Sequence, residues 1–168
     1  MSEAFEGAYD RLRRIARGQL RRLRPGQTIT TRVLVHEAFV KLARDPIASE
    51  DRNHFCSLAA RVMRQVLVDH ARRRRAAKRG GGDAAVSLSD ADGAIDVQSD
   101  ELLALDEALN RLAGESDRLR QVVELRFFGG LTEEEIATTM GVTTRTIQRD
   151  WVKARAWLHK ELASGRGP

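Results

Sequence analysis

The sequence predicts an all-α protein of two small helical domains joined by a flexible acidic linker. Apolar residues recur at helical spacing through most of the chain, and the strict alternation that marks strands is sparse. Helix-favouring alanine, leucine, arginine and glutamate dominate, and only 3 of the 168 residues are proline. We place the domains at residues 1–79 and 101–163, with the linker at 80–100.

Three helices are predicted in the N-terminal domain. The first runs from about Phe5 to Leu23 and stops before Pro25. The second runs from about Thr30 to Ala43, where several apolar residues form one stripe. The third is long, from about His54 to Lys78, and ends at three consecutive glycines. One side of this third helix is apolar, so we expect it to pack on the other two.

Charge is distributed unevenly along the chain. Residues 1–80 contain 19 Lys and Arg against 8 Asp and Glu, whereas residues 81–110 contain 8 acids and no Lys or Arg. The second segment is also rich in Gly, Ala and Ser, which is typical of a flexible, self-extended linker. A basic half favours a polyanionic partner, with nucleic acid ahead of a membrane, although a solvated surface would explain the charge equally well.

Several classes of protein are disfavoured by composition. Cys56 is the single cysteine, so the sequence predicts no disulfide framework and no cysteine-based zinc site. No apolar run approaches the roughly 20 residues of a membrane span, and the acidic N-terminus is unlike a signal peptide. We therefore expect a cytoplasmic protein that does not enter a membrane and needs no metal or cofactor.

The C-terminal domain contains the pattern of a helix-turn-helix. Thr132 and Glu135 form a capping box that starts a short helix. Gly141 can adopt the left-handed conformation that a tight turn needs, and Thr143 is a natural N-cap for the next helix. The order of capping box, turn glycine and second cap therefore predicts two helices that cross at a tight turn.

The second helix of this pair has a polar outward face suited to the major groove of DNA. Arginine and glutamine can form bidentate pairs with guanine and adenine, and hydroxyls near a helix N-terminus can bind phosphate. An ordinary helical hairpin with solvated polar residues is the alternative. The candidate DNA-binding residues are Thr143, Thr144, Arg145, Gln148 and Arg149.

The long third helix has a second candidate surface, which we call the basic face. At 100° per residue, its members fall within about 100° of one another and lie opposite the apolar stripe. A line of guanidinium groups suits a surface that follows phosphates, and a merely solvated amphipathic helix is the alternative. The basic face consists of Arg61, Arg64, Gln65, Val68, Arg72, Arg75 and Arg79.

Together these segments resemble the extracytoplasmic-function sigma factors, the minimal two-domain members of the bacterial sigma family. VLVHEAFVKLA is similar to their region 2.2, and HFCSLAARVMRQVLVDHARRRR is similar to regions 2.3 and 2.4. VVELRFFGGLTEEEIATTMGVTTRTIQRDWVKARAWL is similar to region 4. The resemblance covers nearly the whole chain outside the linker, so it implies sigma region 2-like and region 4-like domains.

The resemblance implies a role in promoter recognition, with core RNA polymerase and promoter DNA as partners. An anti-sigma factor or another regulator is a further partner that it allows. Residues implied at the polymerase-binding helix are Leu34, Val35, Glu37, Phe39 and Leu42. Residues implied at the −10 element are Arg61, Arg64, Gln65, Asp69, Arg72 and Arg73, and the five helix-turn-helix residues above would contact the −35 element.

The chain departs from the family pattern at several positions. Arg32 and Val33 replace an acidic pair that many members have before region 2.2, and His36 stands where Gln is usual. Gln65 replaces the Asn of many members. The aromatic residue ahead of the −10 helix is present as Phe55, without a Trp.

A stand-alone regulator and an enzyme are the two alternative classes of function. A stand-alone regulator would dimerise or bind a ligand through its N-terminal half and would recognise a palindromic operator without polymerase. An enzyme is disfavoured because His36-Glu37 lacks the second His of a zinc helix, and there is no phosphate loop or nucleophile motif. We therefore predict a non-enzymatic protein.

Overall fold

The computed structural model describes residues 52–80 and 90–165, together with residues 10, 14, 36–38, 40–42 and 44. These residues form helices, turns and no strand, which confirms the predicted all-α class. The elements are α1 (Arg52–Gly80), α2 (Asp90–Glu115), α3 (Asp117–Val123), a π-helical turn (Glu124–Phe128), α4 (Glu133–Met140) and α5 (Thr144–Ser164).

Helix α1 confirms the long third helix of the sequence analysis, with each end moved outward by two residues. Residues 36–38 and 40–42 are also helical, and Arg44 lies in a turn, in agreement with the predicted second helix. Of the predicted first helix, only Asp10 and Arg14 are described, and both are helical.

Helix α2 begins earlier than the sequence predicts. It includes residues 90–100, which we assigned to the flexible linker, whereas residues 81–89 lie outside the described part. Its first turn includes Asp90 and Asp92. Acidic side chains at a helix N-terminus interact favourably with the helix dipole, so this charge favours helix there rather than an extended chain.

The predicted helix over 116–128 is divided into two elements. Ser116 caps α3 by accepting a hydrogen bond from the Leu119 N–H at 3.3 Å, and the last five residues form the π-helical turn. The turn closes with a bond from the Gly129 N–H to the Glu124 carbonyl at 3.0 Å. A Cβ at Gly129 would lie 2.5 Å from the Leu125 carbonyl and 3.2 Å from the Ala60 side chain, so only glycine fits there.

The main core joins α1 to α2 and to the helices that follow. Because its members come from both predicted domains, the two parts of the chain pack directly on one another. Its buried residues are Ala38, Leu42, Ala59, Met63, Val66, Leu67, Ala108, Leu109, Leu112, Val123, Phe128, Ala154 and Leu158.

A second buried cluster lies between the start of α1 and the helix-turn-helix. In this cluster, Cys56 and Ala60 of α1 pack against the short helices of the C-terminal part. Its buried residues are Cys56, Ala60, Val122, Leu125, Leu131, Ile136, Ala137 and Ile147. None of the helices in the described ranges is both long and apolar enough to span a membrane.

Candidate nucleic-acid interface

The helix-turn-helix is built from local interactions that the sequence predicted. The Thr132 hydroxyl accepts from the Glu135 N–H at 3.2 Å, and the Glu135 carboxylate accepts from the Thr132 N–H at 2.9 Å, which confirms the capping box. Gly141 has φ 67°, which confirms the left-handed turn. Thr143 then caps α5 by accepting from the Thr146 N–H at 3.2 Å.

Removing the first of these caps should cost a measurable amount of stability. Thr132→Ala leaves the Glu135 N–H without its acceptor, so we expect the free energy of unfolding to fall by about 1 kcal/mol. Urea denaturation followed by circular dichroism would measure it. Thr138→Ala is the control, because the Thr138 hydroxyl only donates to the Glu134 carbonyl within the same helix. Equal losses in the two variants would contradict the assigned role of the capping box.

The five predicted residues of the recognition helix lie together at its N-terminal end. Four of them are exposed (Thr143, Arg145, Gln148 and Arg149), and Thr144 is half-buried. Val152, one turn further along α5, is the most exposed large apolar side chain of the described residues, with 66% of its surface accessible. This surface offers hydroxyl, guanidinium and amide groups beside an apolar patch, the groups that read base edges and thymine methyls.

Glu133, which the sequence analysis did not single out, links the two helices. Its carboxylate accepts from the Gln148 amide nitrogen at 3.0 Å and from the Arg126 guanidinium at 2.9 Å. These bonds, that from Gln148 first, lower the pKa of the Glu133 carboxyl. Since a carboxylate accepts only from the amide nitrogen, the Gln148 side-chain oxygen is directed away from Glu133.

Two charged contacts hold α5 against the elements before it. The Arg126 guanidinium lies over the Trp151 ring at 4.4 Å from its centroid. Asp150, only 2% exposed, accepts from Arg118 of α3 at 2.7 Å. A cation over an aromatic face and an ion pair to a buried carboxylate both favour one orientation of the recognition helix.

The −10 candidates on α1 do not share one environment. Arg61, Gln65, Arg72 and Arg73 are exposed. Asp69 is half-buried, with Lys41 at 3.5 Å and Arg72 at 3.8 Å. Arg64 differs from the others, because its side chain is only 10% exposed.

Arg64 lies in a buried polar cluster, which we call the Arg64 network. Its guanidinium donates to the Asp106 carboxylate at 2.8 Å, to Glu124 at 3.0 Å and to Asn110 at 2.9 Å. A fourth bond reaches the Asp106 carbonyl at 3.0 Å. The Arg64 guanidinium therefore makes four hydrogen bonds and uses all three of its nitrogens. Glu124 also pairs with Arg120 at 3.0 Å.

The line of guanidinium groups predicted opposite the apolar stripe is therefore interrupted at Arg64, which is buried. Val68 of the same face is also buried, in a small cluster with Ala71 and Leu103. Helix α2 covers this flank of α1. The apolar periodicity of α1 does not indicate that a second helix packs on this side. Further along, Arg72 lies 3.5 Å from Asp106, and Arg75 lies 3.6 Å from Asp100.

The polymerase-binding candidates are only partly described. Leu34, Val35 and Phe39 lie outside the described residues. Leu42 is 5% exposed and belongs to the main core, whereas Glu37 is half-buried and lies 3.8 Å from Arg73. Of the two described candidates, Glu37 is therefore the one with an accessible side chain.

The residues that sequence analysis missed are mostly charged groups that become buried. Asp106 and Glu124 are 7% and 5% exposed, and Asp150 joins them in the interior. The sequence contains one indication of this burial, because each of the three acids is next to apolar residues that face inward. Across the described ranges, no group of three or more His, Cys, Asp or Glu side chains is arranged to hold a metal ion.

Residues 2–164 match the model of the ECF sigma factor family. Comparison with curated proteins found no match, and neither did comparison with solved structures. The match extends over both candidate DNA-binding surfaces and over the segment between them.

Proposed function

The chain belongs to the ECF sigma factor family, which acts in promoter-specific transcription initiation by RNA polymerase, and we propose that it binds core polymerase and selects its promoters directly. The observation that supports this best is the exposed polar end of α5, held in a capped helix-turn-helix within the matched range. The protein would act as a non-catalytic subunit in the cytoplasm, with neither metal nor cofactor of its own.

At the −35 element, the N-terminal end of α5 would enter the major groove. Arg145, Gln148 and Arg149 would contact base edges, while Thr143 and Thr144 would contact phosphate. These positions are exposed or half-buried, so each side chain can reach a ligand without rearrangement of the helix.

At the −10 element, the exposed members of α1 would contact the melted strand. Arg61, Arg72 and Arg73 would bind phosphates, and Gln65 and Asp69 would lie near unstacked bases. Arg64 could join them only after leaving the Arg64 network. Residues 1–79 would form the polymerase-binding and −10 domain and 101–163 the −35 domain, with 80–100 between them.

Two DNA contacts held in register by polymerase would bind far more tightly than either alone. Each domain offers few phosphate contacts, and joining them raises the effective concentration of the second site. We therefore expect the free protein to bind promoter DNA weakly. An anti-sigma factor or another regulator would act by blocking either surface.

The test is reconstitution of purified full-length protein with core RNA polymerase. We expect the two to co-purify and to start transcription at promoters mapped by start-site sequencing after overexpression. Failure to bind core polymerase in the absence of any inhibitor would rule out the proposed function. A palindromic site bound tightly without polymerase would favour a stand-alone regulator.

Arg149→Ala should weaken promoter use through the −35 element alone. Loss of a bidentate contact to guanine costs about 1–3 kcal/mol, so transcription from −35-dependent promoters should fall while core polymerase binding stays unchanged. In vitro transcription and polymerase co-purification measure the two effects separately. Lys160→Ala is the control, since Lys160 is exposed near the other end of α5. Reduced polymerase binding by Arg149→Ala would show that the domain assignment is wrong.

A further inference from the structure

Four side chains around the start of the recognition helix form a closed set of contacts, which we call the Glu133 network. Arg126 of the π-helical turn lies over the Trp151 ring and donates to one carboxylate oxygen of Glu133 at 2.9 Å. The other Glu133 oxygen accepts from the Gln148 side-chain nitrogen at 3.0 Å. Trp151 and Gln148 are three residues apart on α5, so the network begins and ends on the same helix.

The network determines which end of the Gln148 amide faces Glu133. A carboxylate has no hydrogen to donate, and the bonds from Gln148 and Arg126 lower the pKa of Glu133, so this group is an acceptor at neutral pH. Only the amide nitrogen of Gln148 can therefore be its partner. The amide oxygen is then the acceptor that this exposed side chain presents to other molecules.

This orientation has a consequence for the reading of DNA, because an unrestrained glutamine can present either end of its amide. In the major groove, adenine and cytosine carry an exocyclic amino group that donates, whereas guanine and thymine carry a carbonyl oxygen that accepts. An amide oxygen directed at the groove accepts from the amino group. Against a carbonyl oxygen, the same atom would lose its hydration without gaining a hydrogen bond.

Arg126 makes an acid tolerable at this place. A carboxylate near DNA phosphates would weaken binding, and the guanidinium 2.9 Å from Glu133 offsets that charge. Contact with the Trp151 ring holds the guanidinium there, at 4.4 Å from the ring centroid. Since these bonds are partly exposed, they add little to stability. Their main effect is on the orientation of the Gln148 amide.

We propose that Glu133 is a positioning residue that makes Gln148 select a base with an exocyclic amino group, adenine or cytosine, at one position of the −35 element. Glu133 acts on DNA only through the Gln148 amide. The proposal rests on the proposed function for its ligand, promoter DNA. The order of donors and acceptors depends only on contacts within this chain.

The test uses holoenzyme formed from the full-length protein and core RNA polymerase, on a promoter mapped for the wild type. Each base pair of the −35 element is exchanged between strands in turn. Gln148→Ala identifies the pair that Gln148 reads, because exchange of that pair should no longer affect transcription by this variant. Replacing only the amino group of that pair by hydrogen should lower transcription by the wild type at least about 5-fold relative to Gln148→Ala.

Glu133→Gln tests the positioning role, and Glu134→Gln is the matched control. Both remove one charge from the first turn of α4, and Glu134 is exposed. At position 133, Arg126 still requires the oxygen of the new side chain, so the new amide nitrogen faces Gln148 and Gln148 turns its own oxygen toward it. The N–H groups of Gln148 then face the groove. We expect this variant to favour the exchanged pair by at least about 3-fold, whereas the wild type and the control favour the original pair.

Glu133→Ala removes the acceptor without supplying a donor, so its preference between the two pairs should fall below about 2-fold. A preference in the Glu133 variants equal to that of the control would overturn the proposal, and so would an equal loss of transcription from both pairs. The absence of any pair that Gln148→Ala fails to distinguish would overturn it too. A wild-type protein that forms no active holoenzyme would instead contradict the proposed function. Circular dichroism verifies that the variants retain their helix content.

Discussion

Replacing Arg64 by alanine should lower the free energy of unfolding by about 3–5 kcal/mol, the usual cost of removing one partner from a buried ionic group. The Asp106 and Glu124 side chains, which are 10% and 7% exposed, would lose the guanidinium that now binds both. The effect is large because two buried carboxylates lose their shared hydrogen-bonded counter-ion, although Arg120 and Arg72 still lie beside them. Urea denaturation followed by circular dichroism measures it.

Arg72→Ala is the matched control for this prediction. The Arg72 side chain is 61% exposed and reaches Asp106 only at 3.5 Å. An exposed ion pair contributes at most about 1 kcal/mol, so this variant should be nearly as stable as the wild type. Similar losses for the two variants would show that the Arg64 network does not contribute in the way its geometry indicates.

Replacing Phe128 by alanine should also cost about 3–5 kcal/mol, because a buried aromatic ring is lost and a cavity remains. Phe128 is 0% exposed and ends the π-helical turn within the main core. Its ring meets Phe127 edge-on, with centroids 4.9 Å apart and planes at 73°. Such a pair adds to the stabilisation from burial.

The control is Phe127→Ala, since Phe127 is half-buried at the edge of the same core. We expect its effect on the free energy of unfolding to be clearly smaller than that of Phe128→Ala. A loss below about 1 kcal/mol for Phe128→Ala would contradict the packing of the π-helical turn against α1. A single unfolding transition in all variants would support one cooperative unit for the described helices.

The helix-turn-helix was predictable because its signals are local. The Thr132–Glu135 box and the Thr143 cap each join residues three positions apart, and Gly141 meets a backbone requirement at one position. The apolar spacing of α1 likewise depends on one helix alone. These features depend on interactions within about four residues, so the residue types are sufficient to indicate them.

The π-helical turn and the N-terminal part of α2 were not predictable in this way. An apolar pattern over 119–128 fits an α-helix and a π-helical turn alike, so nothing in it distinguished the two. The acidic composition of 90–100 is typical of linkers, yet the same acids favour a helix N-terminus. In both cases the residue types are compatible with two local structures, and packing against the rest of the chain determines which one forms.

What the sequence alone determined is an all-α chain with a capped helix-turn-helix and a long basic helix, because those features follow from short-range spacing and charge. Only the tertiary structure decided which basic side chains face solvent. Arg64 is buried because Asp106 and Glu124, 42 and 60 residues away, are brought to its guanidinium by the packing of α2 and the π-helical turn. Helical periodicity gives the direction of a side chain and contains no information about the distant helix that meets it.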